Sequence, residues 1–262
     1  MQILDSDIVF SGAEGSIGSQ RPYQSHKVVT PLEAPLEDKI SELLCLPCMP
    51  KVFVHLAAMT SISDCEDSPE LCHQFNVEGA RQWFRACQEV GVLKFIFAST
   101  SHVYDPSACD QPLSTTAPLA PQKVYGKSKL LAEDALKELE QTGSTHLYIA
   151  RVFSVLADPG PEWSLLEGLK RRARNKDSSP IPGLSFVRDF LTNTEVCKRL
   201  VQIAKSEKIL PQTLNICSGK GTPIRKLAEI VFKQNGFDLD IIQELPLDDG
   251  TPQIIGIPTP ID

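Results

Sequence analysis

Aromatic residues are scarce in this chain of 262 residues, at 6%, and clustered positive charge is scarcer still. The net charge is -7, and the one dense cationic run is Lys170-Arg171-Arg172-Ala173-Arg174-Asn175-Lys176. An acidic chain without a basic stripe is not made to hold nucleic acid or an anionic membrane as its main partner. The run itself reads as a solvated helix end or as a cationic rim beside an anionic ligand. No apolar stretch approaches the ~20 residues needed to span a bilayer. Met1-Gln2-Ile3-Leu4-Asp5-Ser6-Asp7 also lacks the basic start and apolar core of a secretory signal. A cytoplasmic protein is expected, and its eight cysteines then read as reduced thiols. Cys45-Leu46-Pro47-Cys48 has neither a second such pair nor a suitably spaced histidine, so no metal site is expected. Cys72, Cys87, Cys197 and Cys217 sit in apolar-periodic or strand-like segments and read as small core residues.

What is present begins with a strand. Ile8-Val9-Phe10 runs into Ser11-Gly12-Ala13-Glu14-Gly15-Ser16-Ile17-Gly18, whose glycines recur every third position. Such a triplet lets the backbone turn tightly, approach a pyrophosphate and pack a helix on a strand, while the helix N-terminus offers N–H donors. The continuation is short of parts. Pro22 meets the following helix early, and the strand candidate Lys27-Val28-Val29 ends at Thr30-Pro31, where an Asp or Glu for a ribose would be expected. From Phe10 to the strand at Val52 there is room for about forty residues, one βαβ unit and little more. The adenosine end of a dinucleotide site is therefore expected to be abbreviated. With no carboxylate to repel a 2′-phosphate, and with Arg21, His26 and Lys27 nearby, NADP is slightly favoured over NAD.

Farther along, residues 37–44 read as a helix and Lys51-Val52-Phe53-Val54-His55-Leu56-Ala57-Ala58 as a buried strand ending in small residues. A cofactor could lie flat across Leu56, Ala57 and Ala58. His55 reads as a hydrogen-bonded core residue, with catalyst as the alternative. Asp67-Ser68-Pro69-Glu70 opens a long helix to about Val90. Phe95-Ile96-Phe97-Ala98 is the next buried strand, ending in the hydroxyls Ser99-Thr100-Ser101. Then comes Val124-Tyr125-Gly126-Lys127-Ser128-Lys129, at the start of a helix over residues 128–140. Tyr125 and Lys129, four residues apart, share one helix face. A free phenol, with a pKa near ~10, is a poor base at neutral pH, but a nearby ammonium favours its ionisation. Lys129 would be the electrostatic partner and Tyr125 the proton carrier.

Together these segments resemble the extended short-chain dehydrogenase/reductase family, in its NAD(P)-dependent nucleotide-sugar epimerase, dehydratase and reductase branch. The likeness runs from Ile8 to about Val231. It rests on the glycine triplet, His55-Leu56-Ala57-Ala58, Asn76-Val77-x-Gly79, Ser99-Thr100-Ser101-His102-Val103-Tyr104 and Tyr125-Gly126-Lys127-Ser128-Lys129. Arg151-Val152-Phe153-Ser154, Arg188-Asp189-Phe190 with Glu195-Val196, and Leu214-Asn215-Ile216-x-Ser218-Gly219 complete it.

The resemblance implies a catalytic set of Thr100, Tyr125 and Lys129. It implies a cofactor cradle of Gly12, Gly15, Ser16, Ile17 and Gly18, with Leu56, Ala57 and Ala58 as the bed and Tyr125 and Lys129 at the nicotinamide end. Substrate contacts fall to Thr100, Ser101, His102, Ser154 and Arg188, the last as a planar donor to a diphosphate. Asn76 is read as a structural group tying two strands together. Where dehydratases of this branch carry Asp-Glu, the chain has Ser101-His102, which argues against sugar dehydration. His102 supports the strand end or serves as a second acid/base. Ser154 stands where epimerases usually have Asn, which weakens the transfer of a sugar or phosphate contact to it.

The expected fold class is α/β, a Rossmann-type doubly wound parallel sheet over residues 1–157, abbreviated around residues 19–50. Turn chemistry at Asp158-Pro159-Gly160-Pro161 leads into a smaller C-terminal substrate-binding lobe over residues 158–262, with helices over 163–176 and 223–234. Ile181-Pro182-Gly183 and Asp248-Asp249-Gly250 read as loops. Either the lobe is small or the C-terminus has been trimmed. The expected activity is reversible hydride transfer on a nucleotide-activated sugar. Epimerisation, keto-sugar reduction with exchanging NADPH, and binding without catalysis stay open. The resemblance suggests a homodimer through the helices beginning near Ser68 and carrying Lys129. Packing of Leu130, Leu131, Ala135 and Leu136 on the sheet is the alternative.

Overall fold

Buried runs of β-branched and aromatic residues assemble into one parallel sheet in the computed structural model, which describes residues 2–238, 242–245 and 251–261. In chain order the first strands are β1 (Ile8–Ser11), β2 (His26–Lys27), β3 (Val52–His55), β4 (Lys94–Thr100), β5 (His146–Val152) and β6 (Ser154–Leu156). They are followed by β7 (Ile181–Pro182), β8 (Val187–Thr192) and β9 (Thr213–Ile216). The central sheet runs β2-β1-β3-β4-β5-β9, with every pair parallel. All residues of β1 and β3 are buried, as expected of strands covered on both faces.

Alternate side chains divide between two layers. Val9, Phe53, Phe95 and Phe97 face helices α1 (Leu36–Leu44), α4 (Gly79–Glu89) and α5 (Val124–Glu140), meeting Leu43, Trp83, Phe84 and Leu136. Ile8, Phe10, Val54 and Ile96 face α7 (Asn193–Lys205), meeting Val196, Leu200 and Ile203. Shorter or more peripheral helices are α2 (Ile62–Asp67), α3 (Pro69–His73) and α6 (Leu165–Asn175). The sheet is thus doubly wound, as the alternation implied.

The connection between β1 and β2 is short. The helix anticipated after Gly18 is reduced to a 3-10 turn, Gly18–Gln20, because Pro22 brings no N–H and holds Arg21 in an extended conformation. The long helix from residue 69 to 89 is interrupted by a five-residue π-helical stretch, Gln74–Glu78, which turns Asn76 into the interior.

Residues 158–262 serve two purposes. α7 and β9 return to complete the sheet, while α6 and α8 (Ile224–Gln234) enclose a separate apolar cluster with Leu184, Phe186, Val231 and Phe232. Above it β8 pairs with β6, β10 (Gly221–Pro223) and β12 (Gln253–Ile254). Ile181-Pro182, expected as loop, pairs in parallel with β11 (Glu244–Leu245), and Gly183 turns out of it at φ +67°. Asp248-Asp249-Gly250 lies outside the described residues. Asp189 is fully buried and holds the layers together, accepting hydrogen bonds from the N–H groups of Ser218, Gly219 and Gly256 and from the Ser218 hydroxyl.

Candidate active site

Thr100 closes β4 and caps the 3-10 turn Ser101–Val103 by accepting the His102 N–H. Tyr125 stands in the first turn of α5, which starts four residues earlier than the spacing suggested, at Val124. Two features dock this turn on the strand end. Glu66 of α2 accepts the Val124 N–H at 2.9 Å. At Gly126 a Cβ would lie 2.4 Å from the His102 carbonyl, so only glycine lets the helix approach so closely. The result places Tyr125 against Thr100, and the His102 ring meets the Tyr125 ring edge-on at 6.0 Å.

The electrostatics differ from the sequence expectation. Burial pushes the Tyr125 phenol up to about 12, against a smaller lowering from Thr100. Burial likewise pulls the Lys129 ammonium down to about 7, opposed by Glu133. Lys129 is 3% exposed, with Nζ 4.2 Å from the centre of the Phe97 ring. The expected bias of Tyr125 toward ionisation is therefore reversed here. Removal from water penalises phenolate and ammonium alike. The buried thiols of Cys65 and Cys72, with Sγ atoms 2.9 Å apart, raise the phenol further.

Asn76 is a tie, although between a loop and a helix rather than between two strands. It accepts from the Met59 N–H at 2.8 Å and donates to the Met59 carbonyl and the Ser128 hydroxyl. Ser128 in turn donates to the Tyr125 carbonyl at 2.8 Å. His55 is the core group expected: 1% exposed, Nδ1 2.8 Å from the Ser11 hydroxyl, and held neutral by burial with a pKa of about 3.

The glycine loop fits a pyrophosphate. Gly12 has φ +64°, and a Cβ there would strike the Ala57 backbone at 2.7 Å, so the loop lies directly on the Leu56-Ala57 end of β3. A Cβ on Gly18 would meet the Gly12 carbonyl at 2.3 Å, whereas on Gly15 its one near neighbour is that same carbonyl at 3.2 Å. Gly12 and Gly18 serve the loop's own packing, and Gly15 keeps its outer side open. The turn's own bonds engage the N–H groups of Gly15, Ser19, Gln20 and Arg21. Those of Ser16, Ile17 and Gly18 take no part in them. Leu56, Ala57 and Ala58 are half-buried beside this loop. The shortened helix removes most of the dipole that would favour an anion. On the adenosine side Lys27 pairs with Glu14, Arg21 donates to the Ala13 and Gly18 carbonyls, and His26 lies 3.5 Å from the Cys48 thiol.

Of the residues the resemblance assigns to a substrate, Ser101 is buried and His102 exposed beside Tyr125. Ser154 and Arg188 sit on the adjoining strands β6 and β8. Arg188 stacks on Phe186 at 5.0 Å and donates to the Val187 carbonyl.

One network went unread in the sequence. Glu133 is fully buried and holds Arg151 by two parallel bonds of 3.0 and 2.7 Å, while also accepting from Ser99. Arg151 lies 5.0 Å from the Tyr104 ring, and Tyr104 donates to Asn215 at 2.6 Å. Tyr104 is thus structural. The available signal was that Glu133 follows Lys129 by four on the same helix face.

A family model described as the NAD dependent epimerase/dehydratase family matches residues 12–217. The chain belongs to that family. Among curated relatives within and around it, the uncharacterized UDP-glucose epimerase YtcB of Bacillus subtilis is 23% identical over 189 residues, covering 71% of this chain and 58% of that protein. The dTDP-4-dehydrorhamnose reductase of Streptomyces griseus is 34% identical over 115 residues, 44% of this chain and 36% of that protein. The chain thus spans between 36 and 58% of the length of these curated relatives. Among solved structures, the UDP-glucose 4-epimerase of Thermotoga maritima with UDP-glucose superimposes with a TM-score of 0.84 at 21% identity, covering 96% of this chain and 90% of that one. RMD from Pseudomonas aeruginosa, complexed with NADPH, gives 0.79 at 20% identity, covering 98% and 90%. At these identities the structural likeness shows the fold. Among the described residues no helix is long and apolar enough to cross a membrane.

Proposed function

We propose that this member of the epimerase/dehydratase family is an NAD(P)-dependent enzyme that moves a hydride to or from a carbon of a nucleotide-activated sugar. The observation that carries the reading is the contact of Tyr125 with Thr100 at the carboxyl end of the sheet. Gly12 meanwhile lies on the Leu56-Ala57 end of the neighbouring β3. Gly15, Ser16, Ile17 and Gly18 would hold the dinucleotide's pyrophosphate and Leu56, Ala57 and Ala58 its flat face, with Lys129 at the ribose of the nicotinamide. When bound, the nicotinamide supplies or accepts the hydride.

The chain's own residues manage the proton. Thr100 orients the reacting oxygen, and Tyr125 exchanges the hydroxyl proton with it. A phenol kept protonated by burial is set up as a donor, which suits reduction of a carbonyl. His102, exposed at the ring edge of Tyr125, faces the same substrate position. Ser101, Ser154 and Arg188 are assigned to the sugar nucleotide, Arg188 to its diphosphate. Residues 158–262 supply the substrate lobe apart from α7 and β9.

A second reading, keto-sugar reduction with the cofactor exchanging at every turnover, is favoured by the two-residue β2 and the single turn after the glycine loop. Few adenosine contacts mean fast release. NADP over NAD is supported by the absence of a carboxylate at the end of β2 and opposed by Glu14.

The test is NAD(P)H absorbance with a panel of nucleotide keto-sugars. Tyr125→Phe is expected to lower turnover by about 10²–10⁴-fold while leaving cofactor affinity nearly unchanged. Undiminished turnover would refute the assignment.

A further inference from the structure

Three cavities among the described residues, of about 810, 550 and 420 Å³, adjoin one another at α7, and Tyr125 lines none of them. The first shares Lys205 and Glu207 with the second, and Lys198, Gln202 and Ile261 with the third. On α7 the stripe lining the largest is Thr194, Cys197, Lys198, Val201, Gln202 and Lys205. Steps of three and four make this one continuous helix face, roughly 16 Å long at ~1.5 Å per residue.

That face is open for a topological reason. The crossover between parallel strands ordinarily carries a helix that covers the sheet. Between β1 and β2 the chain carries one 3-10 turn instead, and Gln20 and Pro22 from this connection form the far wall of the groove. A groove with α7 for its floor results. α7 is held firmly in it, its N-terminus closed by reciprocal bonds between Thr192 and Glu195.

The rim is charged against the trend of the chain. Lys198, Lys205 and Lys208 are exposed around the largest cavity, with Glu207 the one acidic residue among them, on a protein of net charge -7. Lys205 already pairs with Asp5 at 2.7 Å. Beyond the lysines Ile209 is fully exposed, and Leu4, in the second cavity, is 55% exposed.

We propose that this groove docks an amphipathic α-helix of a partner protein, apolar along one stripe and acidic along its edges. Val201 of α7 and Pro22 on the facing wall, both half-buried, would receive the apolar stripe in the manner of a helix laid in a groove. The lysine rim would select acidic flanks. The proposal does not depend on the catalytic reading.

Fluorescence anisotropy with a labelled synthetic helix of about 14 residues, leucines at positions spaced three and four and glutamates beside them, tests it. Saturable one-to-one binding is expected, weakened about tenfold or more by the double exchange Lys198→Glu with Lys208→Glu, and by raised salt. Val201→Arg should weaken it as well. Equal affinity for the same helix flanked by lysines, no saturable binding, or no response to the double exchange would overturn the proposal. So would dimerisation of the protein alone that the double exchange abolishes, since the occupant would then be a second copy. The exchanged lysines are exposed, and the fold of that variant is checked by its unchanged unfolding temperature.

Discussion

His55 shows how a single buried group sets a pH dependence. Its imidazole titrates at about 3 when folded, against ~6.5 in an unfolded chain. Between those values the unfolded state binds the extra proton, so stability is complete above pH 6.5 and is lost as the pH falls toward 3. At ~1.4 kcal/mol per unit, the loss from this residue between pH 6.5 and 4 is about 3 kcal/mol. Urea midpoints of the wild type and His55→Gln, compared at several pH values, should converge by that amount on acidification; parallel curves would remove the explanation. Lys129, lowered to about 7, acts in a later window. Its charging penalty is full below pH 7 and is relieved as the pH rises toward ~10.4. Stability should therefore climb again on the alkaline side, and Lys129→Met should lack that climb.

Among the elements, the joint between β4, α5 and β5 is the one most exposed to a single change. Glu133 on α5 holds Arg151 of β5 and Ser99 of β4, and all three are buried. Glu133→Ala would leave a guanidinium stranded, at an expected cost of about 3–5 kcal/mol in urea unfolding. Replacing both partners, Glu133→Leu with Arg151→Met, is expected to cost less than the single change, because no charge is then left alone. A single change costing under about 1 kcal/mol would mean that Arg151 finds another partner. Because α5 carries Tyr125 and β4 carries Thr100, the same joint sets the spacing between those two side chains. The sequence showed each element but not the joint, since the spacing of Glu133 from Lys129 marks a shared helix face without naming Arg151 and Ser99 as its partners.

For the molecule as a whole, the economy of the β1–β2 side would govern how a dinucleotide is held under the proposed function. A two-residue edge strand and one helical turn leave the adenosine half with little surface to grip. Native mass spectrometry of the purified protein is expected to find no stoichiometric nucleotide, and titration to find NADPH bound more tightly than NADH. Retained NAD would point to an epimerase that never releases its cofactor, and tighter NADH would remove the preference for the 2′-phosphate. The same economy uncovers α7, so one shortening in the sequence has consequences on both sides of the glycine loop.

By itself the sequence determined the α/β class, the glycine turn, the strand ending at Thr100 and the pairing of Tyr125 with Lys129 on one helix face. Each is written in local periodicity or in a backbone conformation that few residues allow. Only the tertiary structure decided the direction in which burial moves the Tyr125 phenol, the partners of Glu133 and the open groove on α7. Those depend on burial and on residues far apart in the chain, such as Tyr104 and Asn215, 111 positions distant. A pattern of neighbours along the chain carries no measure of how deeply a phenol will lie, or of which helix will be left without a companion.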